Sequence, residues 1–234
     1  MSRPELPSLL EMEAVLFDVG GTLVELDYAF IAGRARERGI EVQPEALRRG
    51  EAAARRHLDG VAHSRGGVHE TDAQRRAGYL GRMMAAAGIP AAACVLLVEE
   101  VEAIHASANL WRVEVRGARR TLAALRARGL QTAVVSNADG RLEAILAELG
   151  LAPHLSLVLD SHREGVEKPD PEIFLRALRR LGVAASRTAY VGDIYSIDAV
   201  GARAAGLVPI LLDPAGSYAD VDCATVASLE TLLG

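Results

Sequence analysis

Short apolar runs alternate along the chain with longer segments whose apolar residues recur at helical spacing. Five runs predict buried strands: AVLFD (14–18), TAVVS (132–136), LSLVLD (155–160), TAYVGD (188–193) and LVPILL (207–212). The segments that predict helices are 116–129, 141–150, 170–182, 196–206 and a last one, ASLETLL (227–233). Continuous apolar strands alternating with helices are typical of a parallel sheet covered on both faces. The pattern therefore predicts an α/β fold with a doubly wound parallel sheet.

Residues 27–110 interrupt this alternation. They are rich in Ala, Arg and Glu and contain no convincing strand, so they predict several amphipathic helices. CVLLVEEVEAI (94–104) is apolar enough for a strand, but its length and its acids favour a helix. We therefore predict an α/β core domain formed by residues 1–26 and 111–234, and an inserted helical domain at 27–110.

Composition and charge disfavour several classes of partner. The net charge of −5 argues against nucleic acid and against an anionic membrane surface. No run reaches the roughly 18 apolar residues of a membrane span, and the first residues, MSRPELPSLLEMEAV, do not resemble a signal peptide. Cys94 and Cys223 stand apart, with no spacing typical of zinc. We therefore expect a cytoplasmic protein with a small-molecule partner.

Polar side chains follow the predicted strands at their carboxyl ends, where parallel sheets bind ligands. These side chains are Asp18, Ser136, Asn137, Asp160 and Asp193, with Asp198 a helical turn further on and Lys168 in a loop that opens a helix. We expect them to converge on one edge of the sheet, with Asp160 as the weakest candidate. Ser136, Asn137 and nearby backbone N–H groups can hold phosphate oxygens, although Ser and Asn also serve as helix N-caps.

The charges of this predicted cluster do not balance. Asp18, Asp193 and Asp198 bring three negative charges, and Lys168 brings one positive charge. Uncompensated carboxylates in contact repel each other by several kcal/mol at an intermediate dielectric, and a divalent cation would offset this. An all-oxygen donor set without His or Cys favours Mg²⁺. The alternative for any one of these residues is a solvated aspartate at a loop edge.

Lys168 is the single lysine among the 26 lysines and arginines of the chain. An ammonium is a compact point charge, whereas a guanidinium is a planar fork. A lysine retained in an arginine-rich chain indicates a position that requires an ammonium. The alternative is a surface lysine that survives by chance.

The motifs, taken in order over residues 18–206, resemble those of the haloacid dehalogenase (HAD) superfamily of hydrolases. DVGGTL resembles the first motif, VVSN the second, KPDP the third, and VGDIYSID followed by AVGARAAG the fourth. The insert between the first two motifs is similar to the helical cap of subfamily I. The resemblance implies a Rossmann-like core and a cap that closes over Asp18, excludes water and selects a small phosphorylated substrate.

The resemblance also implies a role for each motif residue. Asp18 is the expected nucleophile, which attacks phosphorus and forms an aspartyl-phosphate. The expected Mg²⁺ ligands are Asp18, the backbone carbonyl of Gly20 and the carboxylate of Asp193. Asp198 and Thr22 are expected to orient these ligands without binding the metal directly.

Three further residues complete the site that the resemblance implies. Ser136 and Asn137 are expected to bind the phosphoryl oxygens. Lys168 is expected to pair with both Asp18 and the phosphoryl group, and so to neutralise charge that would repel the attack.

Gly20 departs from the family pattern, because phosphatases of the family carry a second aspartate at this position. That residue protonates the leaving oxygen and later activates water, which is typically worth about 10²–10⁴-fold. One hypothesis is therefore a phosphatase that is slow, that prefers good leaving groups or that borrows an acid from elsewhere. The candidates for such an acid are Glu25, Asp27, His57, His63 and His69.

Two other hypotheses stay open. Haloacid dehalogenases also lack the second aspartate, but they use no metal and do not keep the acid pair Asp193 and Asp198. A phosphonate hydrolase, a further relative without the second aspartate, is excluded because its mechanism needs a lysine in the cap and residues 27–110 contain none. A binding protein without activity could retain the metal and phosphate sites after the chemistry is lost.

Overall fold

The computed structural model describes residues 4–63 and 72–234, which divide into two compact units. One unit comprises Met1–Glu25 with Arg112–Gly234, and the other comprises Leu26–Trp111. The division falls within two short strands, β2 (Val24–Leu26) and β3 (Trp111–Glu114), which pair with each other. We call the first the α/β unit and the second the helical unit.

The α/β unit is built on a parallel sheet of six strands within the described residues. The strands are β1 (Ala14–Phe17), β4 (Gln131–Ser136), β5 (Leu157–Asp160), β6 (Thr188–Gly192), β7 (Val208–Leu212) and β8 (Ala224–Val226). They lie in the order β5-β4-β1-β6-β7-β8, and all pairings are parallel. All four residues of β1 are buried, which explains its unbroken apolar run. The predicted fold class is confirmed.

The strand order brings the predicted site together. From β1 the sheet continues to β4 and β5 on one side, and the chain then crosses to β6 and β7 on the other side. Phe17, the last residue of β1, pairs with Val134 of β4 and with Val191 of β6. The residues after these three strands therefore lie at one edge, at the switch point where α/β sheets bind ligands.

Helices cover the strands of this unit. They are α5 (Ala118–Ala127), α6 (Leu142–Glu148), α7 (Ser161–Glu164), α8 (Pro171–Leu181) and α9 (Val200–Ala204). Local sequence fixes both ends of α8, because Asp170 accepts a hydrogen bond from Glu172 N and Gly182 follows the helix with φ 69°. Phe174 of α8 packs edge-on against Tyr190 of β6, with ring centroids 4.9 Å apart.

The helical unit contains four helices within the described residues. They are α1 (Tyr28–Glu37), α2 (Pro44–His63), α3 (Asp72–Ala86) and α4 (Ala91–Ser107). Asp27 caps α1 by accepting a hydrogen bond from Phe30 N at 2.8 Å. Their apolar faces enclose a separate core that includes Leu47, Met83 and Leu97. In the described part of the chain we find no helix with the length and apolar character needed to cross a membrane.

Several elements differ from the sequence-based expectation, among them the short strands β2 and β3, the helix α7 and three elements after residue 194. Strand β8 has three residues, too few for a periodic pattern to predict it. The helix predicted from ASLETLL is instead a 3₁₀-helix at Leu229–Leu233. The helix predicted over 196–206 begins with a π-helical turn at Tyr195–Ala199, and only then continues as α9. Such turns are rare and occur frequently at functional sites.

Candidate active site

Asp18 follows β1, and its carboxylate contacts two of the predicted site residues. Lys168 Nζ donates to Asp18 Oδ1 at 2.6 Å, and Ser136 Oγ donates to the same oxygen at 2.8 Å. Only 7% of Asp18 is exposed. Burial raises the pKa of the Asp18 carboxyl above its usual value, even though Lys168 acts in the opposite direction.

Lys168 lies between two carboxylates. Its Nζ donates to Asp18 Oδ1 and to Asp198 Oδ1, both at 2.6 Å, and to the hydroxyl of Tyr190 at 2.7 Å. Burial lowers the pKa of this ammonium, but Asp18 and Asp198 more than offset this, so the pKa is raised overall. Since an ammonium has three N–H donors, these three contacts use all of them.

Asp198 connects the ammonium to the loop after β6. Its Oδ2 accepts from Asp193 N at 3.0 Å and from Ile194 N at 2.9 Å, while its Oδ1 faces Lys168. The π-helical turn places it there, with Asp198 N donating to Ile194 O at 2.7 Å. Both carboxylate oxygens are therefore engaged by the protein. Asp198 is better suited to hold the loop and the lysine than to bind a metal directly.

Gly192 makes room for Asp198. A Cβ at position 192 would lie 2.5 Å from both Cβ and Oδ2 of Asp198, closer than atoms can approach. The absence of a side chain in Gly192 therefore lets the Asp198 carboxylate pack beneath the end of β6.

A Gly192→Ala variant is expected to displace Asp198 and to destabilise the fold by about 1–3 kcal/mol, the usual cost of overpacking. Urea unfolding of the purified variant measures this. Gly33→Ala is the control, because a Cβ at Gly33 of α1 meets nothing within 4 Å and alanine favours a helix. Equal stability of Gly192→Ala and wild type would contradict the close contact.

The acidic cluster fits a divalent cation. Asp18, Asp193 and Asp198 each offer an oxygen, these oxygens lie within 4.8 Å of one another, and all three residues are buried. Three carboxylates against the one ammonium of Lys168 leave two negative charges. Hard oxygen donors suit Mg²⁺, and since both oxygens of Asp198 are engaged, Asp18 and Asp193 are the carboxylates suited to bind it.

The loop after β1 is tight. Gly21 has φ 78°, and its N–H donates to Val24 O at 2.8 Å. Gly20 is not among the glycines with positive φ. Thr22 is fully buried, and its hydroxyl makes no hydrogen bond within the described residues. The carbonyl of Gly20 as a metal ligand and Thr22 as an orienting residue stay predictions.

Asn137 makes contacts that the sequence did not predict. Its Nδ2 donates to Lys168 O at 3.0 Å, and its Oδ1 accepts from Lys168 N at 2.8 Å. The side-chain amide thus holds the backbone N–H and C=O of Lys168, and both of its polar atoms are engaged. The backbone N–H of Asn137 stays the predicted donor to a phosphoryl oxygen.

Asp160 caps local structure. Its Oδ1 accepts from His162 N at 3.0 Å, and its Oδ2 accepts from Gly140 N at 2.9 Å. These bonds begin α7 and order the loop that follows Asn137. Asp160 therefore supports the site from outside the acidic cluster of Asp18, Asp193 and Asp198.

The structure describes the side chains of three of the five candidates that could supply the acid absent at Gly20. The carboxylate of Asp27 caps α1 by accepting a hydrogen bond from Phe30 N. His57 lies exposed on α2. His69 and the side chain of His63 lie outside what the structure describes. Glu25, in β2, stays a candidate.

Two tyrosines in the site were missed by sequence reasoning. Tyr190 lies within an apolar run that predicts a buried strand, and nothing in the sequence pattern indicates that its hydroxyl reaches Lys168. Tyr218 lies in the last 22 residues, where the sequence showed no chemistry, yet its hydroxyl donates to Asp193 O at 3.4 Å. Asp213, at the end of β7, positions it by accepting from Tyr218 N at 2.9 Å. Reading the end of the fifth apolar run could have identified Asp213.

Comparison with known proteins identifies the family. A family model described as haloacid dehalogenase-like hydrolase matches residues 12–206. The chain belongs to the haloacid dehalogenase-like hydrolases. The human haloacid dehalogenase-like hydrolase domain-containing protein 3 is 36% identical over 208 residues, which cover 87% of this chain and 82% of that relative. The family predicted from the motifs is therefore confirmed.

Two further members differ in their named activities. A ribulose-1,5-bisphosphate 5-phosphatase from Halopiger xanaduensis is 31% identical over 226 residues, covering 93% of this haloacid dehalogenase-like hydrolase and 91% of the relative. The structure of a 2-haloacid dehalogenase from Pseudomonas syringae pv. tomato has a TM-score of 0.57 and 26% identity, and the match covers 94% and 96% of the two chains.

Proposed function

We propose that the protein is a Mg²⁺-dependent phosphohydrolase that acts on a small phosphorylated metabolite. The observation that carries this proposal is the buried group of Asp18, Asp193, Asp198 and Lys168, in which three carboxylates lie close together and one ammonium contacts two of them. A site with this charge fits a divalent cation, and the cation and ammonium together suit an anionic phosphoryl group. The similarity to a named phosphatase supports the same substrate class.

In the proposed reaction an oxygen of Asp18 forms a bond to phosphorus, and the bond from phosphorus to the leaving oxygen breaks. The leaving oxygen takes a proton from water or from an acid. Water then attacks the aspartyl-phosphate, releasing inorganic phosphate and restoring Asp18. Mg²⁺, when bound by Asp18, Asp193 and the carbonyl of Gly20, supplies charge neutralisation.

The protein groups hold the nucleophile still. Ser136 and Lys168 both donate to Asp18 Oδ1, which fixes the rotamer of the carboxylate. In the proposal, Ser136 and the backbone N–H of Asn137 also bind phosphoryl oxygens. Because all three protons of Lys168 are engaged, its main proposed effect is on Asp18, and a contact with the phosphoryl group would require one of them to be given up.

We also propose that the helical unit is a cap domain that selects the substrate. Its chain leaves the α/β unit only a few residues after Asp18 and returns before α5, so in the sequence it is an insertion that closely follows the proposed nucleophile. A domain inserted there is suited to gate access to the site.

The proposal predicts metal-dependent turnover. Purified protein assayed with p-nitrophenyl phosphate, acetyl phosphate and a panel of phosphomonoesters is expected to release phosphate at least about a hundredfold faster with Mg²⁺ than with EDTA, because the cation offsets the excess negative charge. Release that EDTA leaves unchanged would contradict the metal site. Binding of Mg²⁺ and phosphate without turnover would instead support a binding protein.

A second candidate is a 2-haloacid dehalogenase. Gly20 is compatible with it, and one structural neighbour carries that name. The buried carboxylate of Asp193 opposes it, because a substrate carboxylate would enter an already negative site. Chloride release from 2-chloropropionate in the presence of EDTA would favour this candidate over the phosphohydrolase.

A further inference from the structure

Tyr190 supplies the third partner of the Lys168 ammonium. Its hydroxyl accepts from Lys168 Nζ at 2.7 Å, donates to Val135 O at 2.8 Å and lies 3.2 Å from Asp198 Oδ1. Tyr190 is fully buried in β6. A phenylalanine would fill the same space in the core, so packing alone does not account for the hydroxyl.

The hydroxyl is itself held rigidly. Val135 O fixes it from β4, one residue before Ser136, and the ring packs edge-on against Phe174 of α8. Burial, reinforced by Asp198 and Asp18, raises the pKa of Tyr190 well above its usual value, so the phenol stays neutral and can accept a hydrogen bond from the ammonium. It therefore gives the ammonium an acceptor that carries no formal charge.

We propose that Tyr190 is a positioning residue that sets the place of the Lys168 ammonium against Asp18. A lysine side chain has four flexible carbons, and two carboxylates alone leave one N–H without a fixed partner. The hydroxyl of Tyr190 removes that freedom, so Lys168 holds Oδ1 of Asp18 in one place. The effect on catalysis rests on the proposed function, whereas the effect on Lys168 does not.

The single lysine allows a direct test by NMR. Protein labelled with ¹⁵Nζ-lysine gives one ammonium signal, from Lys168. In wild type this signal is expected to exchange slowly with water. In Tyr190→Phe the signal is expected to shift and to exchange about tenfold faster, because a hydrogen bond to a charged group is lost. Wild-type exchange as fast as that of free lysine would overturn the proposal without any variant.

Two control variants distinguish the loss of the Tyr190 hydroxyl from unspecific effects of a mutation. Tyr28→Phe removes another buried hydroxyl, which donates to Glu51 Oε2 at 2.7 Å in the helical unit, and is expected to leave the Lys168 signal unchanged. Phe174→Leu disturbs the packing of the Tyr190 ring and keeps its hydroxyl. Because the hydroxyl keeps its bond to Val135 O, Phe174→Leu is expected to lose less exchange protection than Tyr190→Phe. An unchanged Lys168 signal in Tyr190→Phe would overturn the proposal.

Kinetics with p-nitrophenyl phosphate and Mg²⁺ complete the test. Tyr190→Phe is expected to lower kcat about tenfold and to leave KM within about twofold, because the nucleophile is misplaced while substrate binding persists. An unchanged kcat beside an altered Lys168 signal would overturn the positioning role. If the wild type is inactive but its Lys168 signal responds to Tyr190→Phe, the proposed function is refuted. Tyr190 would still be the residue that positions Lys168.

Discussion

An Asp18→Asn variant is expected to lose at least about a thousandfold of the Mg²⁺-dependent phosphatase turnover, because an amide is not a nucleophile toward phosphorus. The substitution keeps the size and shape of the side chain, and its Oδ1 can still accept from Lys168 and Ser136. The loss would therefore report on chemistry rather than on a collapsed site. Steady-state kinetics with p-nitrophenyl phosphate measure it.

The same variant is expected to fold at least as stably as wild type when metal is absent. Burial raises the folded-state pKa of Asp18, so the folded protein binds this proton more tightly than the unfolded chain does. The stabilisation from the protonated form is present at low pH and is lost as pH rises through the folded pKa, so the ionised carboxylate destabilises the fold at neutral pH. A neutral amide removes that cost, and thermal melting at pH 7 with EDTA tests it.

Asp222→Asn is the matched control. Asp222 is a largely exposed carboxylate of the same unit that pairs with Arg203, and its loss is expected to leave turnover unchanged. If Asp18→Asn kept turnover within about tenfold of wild type, Asp18 would not be the nucleophile, since removing one costs far more. A melting temperature well below that of wild type would contradict the stability argument.

The sequence predicts the frame of the site well because the frame depends on short-range patterns. Buried parallel strands appear as continuous apolar runs, and the residue after each run must lie at the carboxyl edge. This rule alone placed Asp18, Ser136 and Asp193 together, and the structure aligns the ends of their strands. Lys168 does not follow a strand, so predicting its role required a second observation, that it is the single lysine of an arginine-rich chain.

The contacts within the site could not be predicted in this way. Tyr190 and Val135 belong to strands that do not pair directly, since β1 lies between them, so the hydroxyl reaches Val135 O only by crossing β1. Asn137 contacts Lys168 across 31 positions of sequence. A π-helical turn directs Asp198 toward Lys168, and the local sequence does not predict this turn. These contacts depend on sheet register and on the paths of loops, and the spacing of apolar residues along the sequence predicts neither.

A Gly20→Asp variant is expected to gain about 10²–10⁴-fold in turnover of phosphomonoesters with poor leaving groups, the usual contribution of a general acid and base. The resemblance puts an acid at this position in the family's phosphatases. The backbone can accept it, because the left-handed conformation of this loop belongs to Gly21, with φ 78°, and not to Gly20. The neighbouring change Gly21→Asp would be strained and is expected to impair the site.

Two comparisons test whether such a gain arises from proton transfer. One compares substrates with different leaving groups, and the other uses an uncharged residue at position 20. An acid that protonates the leaving oxygen accelerates the hydrolysis of phenyl phosphate more than that of acetyl phosphate. Phenolate is the poorer leaving group, whereas acetate departs without a proton. Gly20→Asn has nearly the same volume and no acid, so it is expected to show no comparable gain. Equal gains for Asp and Asn would point to loop packing instead. If turnover does not rise with Gly20→Asp in a protein that still binds Mg²⁺, the site is built around glycine, and the idea of a phosphatase that lacks only its acid would be wrong.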